Sequence, residues 1–381
     1  MILDTYYNAL EIHRNQKKIY AIFKKPHRVI STCSINGGLR DDLGVLLNHQ
    51  SCEPCNHKRP STGKAITQPE AYLKSVCLEE SLDHRACASL GTAANMNYAA
   101  VEEMSFKGFT VVAVTTGGVE GNAGRAGDDA RYYESHGKFI HEDDPEKQPV
   151  PGTINTMLFI NKTLTRGAMV RAIVTATEAK TVALQELNVN SRYSNGTATG
   201  TGTDQIGIAS LLGDEFPLTG SGKHTKLGEL IGKTVKKSVM KTLALQNKLT
   251  AQGQRSVKIH IERFGTDKKR MQEGICQHLD REKTGVLMNN FDSVDRDPLA
   301  VAAVAALVHL RDEFAWGILP NSCAKEIFSS FAAQISASIS GRIERIPAYR
   351  DKLLADIRDN GDENILELIF HAIALGFNEK W

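Results

Sequence analysis

Apolar residues in the first 250 positions gather in short stretches of strand length, broken by glycine, proline and asparagine. KIYAIFK (18–24) and HRVISTCSI (27–35) predict two strands split by a turn at Pro26, after which Asn36-Gly37-Gly38 punctuates the chain. FTVVAVTT (109–116), TINTMLFIN (153–161) and the run 206–212 predict three more strands. Helices are expected at 42–48, 68–78, about 165–189 and 227–249. Gln68-Pro69-Glu70 opens the second, with proline at a tolerated first helical position. In the third, Ala168, Ala172, Ala176, Ala179 and Ala183 recur at three- and four-residue steps and form a close-packing face. The polar stretch 136–151 reads as a surface loop. After about residue 265 glycines thin out, and amphipathic segments near 268–280, 297–314, 322–340 and 362–376 predict a mainly helical region.

The fold class expected from this order is α/β or α+β: a layered sandwich with a mixed β-sheet packed by helices, plus a mainly helical C-terminal region. A doubly wound parallel sheet is disfavoured, because no GxGxxG or GxxxxGK[ST] loop follows a strand. The length of 381 residues exceeds one small core, and 41% hydrophobic with 24% charged residues is ordinary for a globular chain. With 46 Lys and Arg against 44 Asp and Glu, the net charge of +2 offers no broad basic face, so no nucleic-acid partner is expected. Lys233, Lys236, Lys237, Lys241 and Lys248 read as one solvated helix face. The longest apolar run, Leu299 to Val308, is too short to span a bilayer, and Asp4, Glu11 and His13 interrupt any signal-peptide core. Seven unevenly spaced cysteines argue against a disulfide framework. The expectation is a cytoplasmic protein without a membrane span.

Three segments carry candidate chemistry. The turn Thr115-Thr116-Gly117-Gly118 follows a strand and can aim backbone N–H groups at an oxyanion, or serve as a plain connection. Gly200-Thr201-Gly202-Thr203-Asp204 gathers hydroxyls and one carboxylate where a second strand begins; Asp204 orients a base or caps the turn. Thr177-Glu178-Ala179-Lys180-Thr181 lies inside the alanine-rich helix. Residues two apart do not share a narrow helical face, so only one of Glu178 and Lys180 can face a site. His49, Cys52, Cys55 and His57 form a compact HxxCxxCxH cluster. It suits zinc, but the spacing is tight and no second CxxC pair exists, so a loop of reduced thiols beside imidazoles is preferred. His224, before the last of the predicted helices in the first 250 residues, is a proton carrier or an exposed first-turn residue.

STCSINGG (31–38), VTTGGVEGNAGRAGD (114–128), PGTINTMLFIN (151–161), ATEAKTVALQEL (176–187), GTGTDQIGIA (200–209) and TGSGKHTKLGELIG (219–232) occur in one order. Taken together, they resemble the adenosylcobinamide amidohydrolase family over about residues 28–245. The resemblance implies a catalytic domain at 1–250, with 251–381 a helical extension of open role. It implies release of aminopropanol from adenosylcobinamide to leave adenosylcobyric acid, in corrinoid salvage. A corrinoid is then the small-molecule partner, its cobalt entering with the substrate and no resident cofactor required; a homo-oligomer is possible. The site residues expected on this basis are Thr153, Asn155, Glu178, Lys180 and Asp204 as the catalytic set, with Glu178 or Asp204 as general base. Asn36, Thr116, Gly117, Asn122, Thr203 and His224 are expected to contact substrate. INTMLFIN and GTGTDQIGIA are also similar to the Thr-nucleophile ornithine acetyltransferase layout, which would make Thr156 a nucleophile freed by self-cleavage, with Thr116 and Gly117 as oxyanion hole. An uncleaved enzyme, with attack by activated water or Thr153, is the preferred version. A non-catalytic corrinoid- or metal-binding protein is the remaining alternative.

Overall fold

A computed structural model describes residues 1–52, 68–143, 152–357 and 361–380. The chain divides into two compact units, Met1–Leu249 and Thr250–Trp381.

The first unit is a layered α/β sandwich. Strands β1 (Ile2–Tyr6), β2 (Leu10–Asn15), β3 (Lys18–Phe23), β6 (Val45–Gln50) and β7 (Cys87–Thr92) form one sheet in that order. A second sheet runs β5 (Gly38–Arg40), β4 (His27–Ser31), β15 (Gln205–Leu211), β13 (Thr153–Ile160), β9 (Phe109–Gly118), β8 (Ala100–Phe106). Both sheets are mixed: β6 pairs β7 and β13 pairs β15 in parallel, and the other pairings are antiparallel.

Alternation along the central strand shows why the layers stack as they do. All eight residues of β13 are buried. Met157 and Phe159 point into the core between the sheets, with Leu46, Leu90, Val112 and Val114. Ile154, Leu158 and Ile160 point the other way, onto helices α2 (Arg166–Glu186) and α3 (Lys226–Asn247). A strand covered on both faces carries an unbroken apolar run, here MLFI within TINTMLFIN. Helix α2 buries the predicted alanine stripe, Ala168, Ala172, Ala176, Ala179 and Ala183, and is capped by the Thr165 hydroxyl accepting from the Ala168 N–H. On the far side of the first sheet, α1 (Pro69–Leu78) packs Leu73, Val76 and Cys77 onto Tyr20, Val45, Leu47 and Cys87.

The segment 42–48 corrects the sequence reading. It is not a helix: Val45–Gln50 is the strand β6, between β3 and β7. Val45 and Leu47 face α1 while Leu46 faces the inter-sheet core, so a strand covered on both faces presents an apolar run too short for periodicity to tell from a helix. Strands β1, β2, β7 and β8 also lay outside the sequence expectations, and the expected loop at 136–151 begins with Lys138–His141, which pairs with Tyr132–Ser135 as a hairpin. Residues 144–151 lie outside the described residues.

The second unit is helical. Lys268–Cys276, Arg281–Asp295, Pro298–Ala315, Ala324–Ser340, Ile346–Leu354 and Asp362–Lys380 are helices around a core that includes Leu307, Phe328, Ile335, Ile369, Phe370 and Phe377. Asp267, Asp280 and Asp297 cap three of them by accepting backbone N–H bonds. The apolar run at 299–308 lies within Pro298–Ala315, and among the described residues no helix is long and apolar enough to cross a membrane.

Candidate active site

Strand directions bring the glycine-rich segments to one end of the second sheet. β13 and β15 start there and β9 ends there, since Thr153 pairs with Gly118 and Asn155 with Gln205. A two-residue ladder, Ala123–Gly124 (β10) with Gly200–Thr201 (β14), then ties the loop after β9 directly to the GTGTD turn.

At this junction Lys180, from α2, forms an ion pair with Asp204. The side chains are 16% and 14% exposed. Asp204 also accepts from the Ile154 N–H at 2.8 Å, the Thr201 N–H at 3.0 Å and the Thr201 hydroxyl at 2.6 Å. Four donors on one carboxylate make Asp204 the knot between β13, the turn and the helix, and occupy the lone pairs a general base would use. Gly200 makes room for it: a Cβ there would lie 2.5 Å from Asp204 Oδ2 and 2.8 Å from Lys180 Nζ.

Beside this pair is a hydroxyl and amide cluster. The Thr153 and Thr203 hydroxyls are 2.6 Å apart. Thr203 donates to the Gly152 carbonyl at 2.8 Å, so its oxygen is placed to accept the Thr153 proton. The Asn122 amide donates to the same carbonyl at 2.9 Å and approaches Thr203 Oγ1 at 3.5 Å. Its carbonyl accepts from the Tyr193 hydroxyl at 2.5 Å. Burial, with a contribution from nearby Tyr132, pushes the Tyr193 phenol above its ordinary pKa and keeps it a donor.

Between the two sheets, Asn155 and Thr116 meet through Asn48. Asn48 donates to Thr116 Oγ1 at 2.8 Å and accepts from Asn155 at 3.0 Å, and Asn155 also donates to the Gly91 carbonyl at 2.9 Å. Gln205 straps the sheets at the same end by accepting the Gly91 N–H at 2.8 Å.

Other expected site residues lie elsewhere. The Gly117 N–H donates to the Thr242 hydroxyl at 3.2 Å, and the residue is pressed against Leu243, so this amide is committed to helix α3 rather than offered to an oxyanion. Glu178 leaves the cluster. It lies in an outer groove of about 630 Å³ between α2 and α3 and pairs with Lys223 at 2.8 Å. Two helical steps turn a side chain by about 200°, which carries Glu178 to the opposite flank of α2 from Lys180. His224 is exposed at the other end of the sheet: it precedes Lys226, whose ammonium sits 4.7 Å over the Phe106 ring at the β8–β9 turn. Asn36 spends its amide on the carbonyls of His84 and Cys87, both at 2.8 Å, and so stitches the loop after β4 to β7. Thr156 is buried inside β13, paired on both sides, with its hydroxyl 3.3 Å from that of Thr115.

Of the Cys/His cluster, Cys55 and His57 lie outside the described residues. His49 hydrogen-bonds the Tyr72 hydroxyl at 2.8 Å through Nδ1, and burial, assisted by Lys18 and Lys17, pulls its pKa down to about 4. Cys52 is buried against the Ala93 carbonyl. Among the described residues, no three His, Cys, Asp or Glu side chains come together to hold a metal.

Sequence reasoning missed Tyr193, Asn48 and Gln205. The only signal for Tyr193 was an aromatic inside the polar loop before GTGTD; Asn48 and Gln205 carried none, because their partners are far away in sequence.

A layered α/β sandwich with a partly buried lysine–carboxylate pair beside hydroxyls and an amide offers parts of the kind acyl chemistry uses. The family model for adenosylcobinamide amidohydrolase matches residues 3–251. A protein of Methanocaldococcus jannaschii described as uncharacterized is 46% identical over 182 residues, which cover 47% of this chain and 71% of that protein. The chain belongs to the adenosylcobinamide amidohydrolase family. Among solved structures, the PH0078 protein from Pyrococcus horikoshii OT3 overlaps 60% of this chain and 77% of its own, at 12% identity and a TM-score of 0.31, too low to bear on function.

Proposed function

We propose that the first unit hydrolyses the amide linking a propionate arm of adenosylcobinamide to aminopropanol. Water adds across the C–N bond, leaving adenosylcobyric acid and the free amine. The observation that carries this reading is the convergence of Lys180, Asp204, Thr153, Thr203 and Asn122 at one sheet end, in a chain of this family. The Thr153 hydroxyl, 2.6 Å from that of Thr203, serves as nucleophile, its proton passing to the departing amine and water then hydrolysing the ester, or as the group that orients the attacking water. The Lys180 ammonium, paired with Asp204, in this reading stabilises the negative charge developing on the carbonyl oxygen. Asp204 acts as a positioning residue, since its oxygens are already committed. The cobalt belongs to the substrate.

Purified protein incubated with adenosylcobinamide should release aminopropanol, read by mass spectrometry, from an enzyme running as one intact band. Intact substrate after prolonged incubation would remove the reading. Two chains split before Thr156 would instead favour the Thr-nucleophile acyltransferase type.

A further inference from the structure

Tyr193 is half exposed, at 49%, yet held at its hydroxyl, at one ring edge and at its backbone. Its hydroxyl is bonded to buried Asn122. One edge of its ring lies over Gly124, where a Cβ would come within 3.3 Å of Cδ2; the glycine lets the ring lie on the backbone. Its N–H donates to the Ser191 hydroxyl at 3.1 Å, and Ser191 in turn donates to Asp128 at 2.6 Å. Asp128 also accepts the Arg125 N–H at 2.7 Å. Burial opposes the charge on Asp128, but the Ser191 and Ser194 hydroxyls and the Arg125 N–H outweigh it and hold the carboxyl below its usual range. The neighbouring Arg192 N–H bonds the Ala123 carbonyl at 2.9 Å, and the Ser191 N–H bonds that of Gly196 at 2.9 Å.

An aromatic ring kept partly in water costs nothing to leave loose, so a loop that fixes it this firmly is preorganised for a contact. The contact lies one side chain, Asn122, away from Thr203 and two away from Thr153. We infer that Tyr193 is a substrate-contacting residue whose open ring surface packs against the conjugated part of the corrinoid macrocycle, which sets specificity for a large substrate over a simple amide. The inference rests on the amidohydrolase reading for the identity of the ligand. The conjugated part of the macrocycle offers an aromatic ring an apolar surface to pack on, and a contact of this size is worth about tenfold in affinity.

The test is equilibrium binding of cobinamide, followed by its visible absorbance in dialysis, to wild type, Tyr193→Phe and Tyr193→Ala, beside turnover of adenosylcobinamide. Thermal melting confirms that each variant is folded. The expected result is a Kd within about twofold of wild type for Tyr193→Phe and about tenfold weaker for Tyr193→Ala. A Tyr193→Ala variant that binds as wild type does would overturn the inference. Equal weakening in both variants would also overturn it, by assigning the effect to the hydroxyl on Asn122. A wild type that binds cobinamide, with the ring dependence intact, but releases no aminopropanol would sink the hydrolytic reading and leave the ring contact standing.

Discussion

Replacing Lys180 with methionine keeps the length of the side chain and removes the ammonium from Asp204. The carboxylate is then left 14% exposed, with the Ile154 N–H and the N–H and hydroxyl of Thr201 as its remaining donors. Removing one partner of a buried pair costs about 3–5 kcal/mol because the other charge is stranded. Three surviving donors hold the cost to the lower end, about 3 kcal/mol. In a unit of this size that lowers the melting temperature by about 6–12 °C, at about 2–4 °C per kcal/mol. Asp204→Asn strands the ammonium instead, and the Lys180→Met/Asp204→Asn double variant removes both charges. The cycle, measured by thermal melting and urea unfolding of the first unit's transition, should return a coupling of about 2 kcal/mol, with the double variant more stable than the sum of single effects allows. A coupling below about 0.5 kcal/mol, the usual additivity error, would refute the claim that these two side chains hold the turn to the helix.

Gly200→Ala should cost about 1–3 kcal/mol and lower turnover, because the added Cβ must displace the Lys180–Asp204 pair; wild-type melting and turnover would show that the pair tolerates the shift. Burial opposes the charge on Glu102, but Lys237 and Lys241, at 2.6 Å and 2.8 Å, outweigh it and lower the carboxyl below its ordinary 4.5. A depressed carboxyl stabilises the fold above pH 4.5 and ceases to do so as the pH falls through the folded value, so melting between pH 3 and 7 should show an acid limb that Glu102→Gln flattens. Chelator treatment, and separately the Cys52→Ser/Cys55→Ser variant, should leave aminopropanol release within about twofold of untreated enzyme, since about twofold is only about 0.4 kcal/mol; a larger loss in both would make the Cys/His loop a metal site needed for turnover.

Legibility from sequence followed burial. β13, β9 and α2 were readable because each carries a long run of one kind of residue: β-branched and apolar residues in the strands, alanine at helical spacing in the helix. β6 was misread because Leu46 and Leu47 face opposite covered layers, which erases the alternation that marks a strand. The TEAK segment was legible as a place where one charge turns inward, but not which. Lys180 also needs the space that the missing side chain of Gly200 leaves open, and Gly200 is twenty positions further along the chain. His224 was attractive by type alone; the direction of α3 puts it at the wrong end of the sheet. Tyr193 and Asn48 escaped notice because their meaning lies entirely in partners at Asn122, Thr116 and Asn155.

The most direct measurement is aminopropanol release from adenosylcobinamide by wild type, Thr153→Val, Asp204→Asn and Glu178→Gln under identical conditions. Thr153→Val should fall by about 100-fold or more, in the range lost when a group that acts in the transition state is removed, and Asp204→Asn should fall as well, by releasing Lys180 from its place. Glu178→Gln should stay within about twofold, because its partner Lys223 forms only a surface pair, worth about 0–1 kcal/mol. The opposite ranking, with Glu178→Gln inactive and the other two unimpaired, would move the chemistry to the groove between the helices.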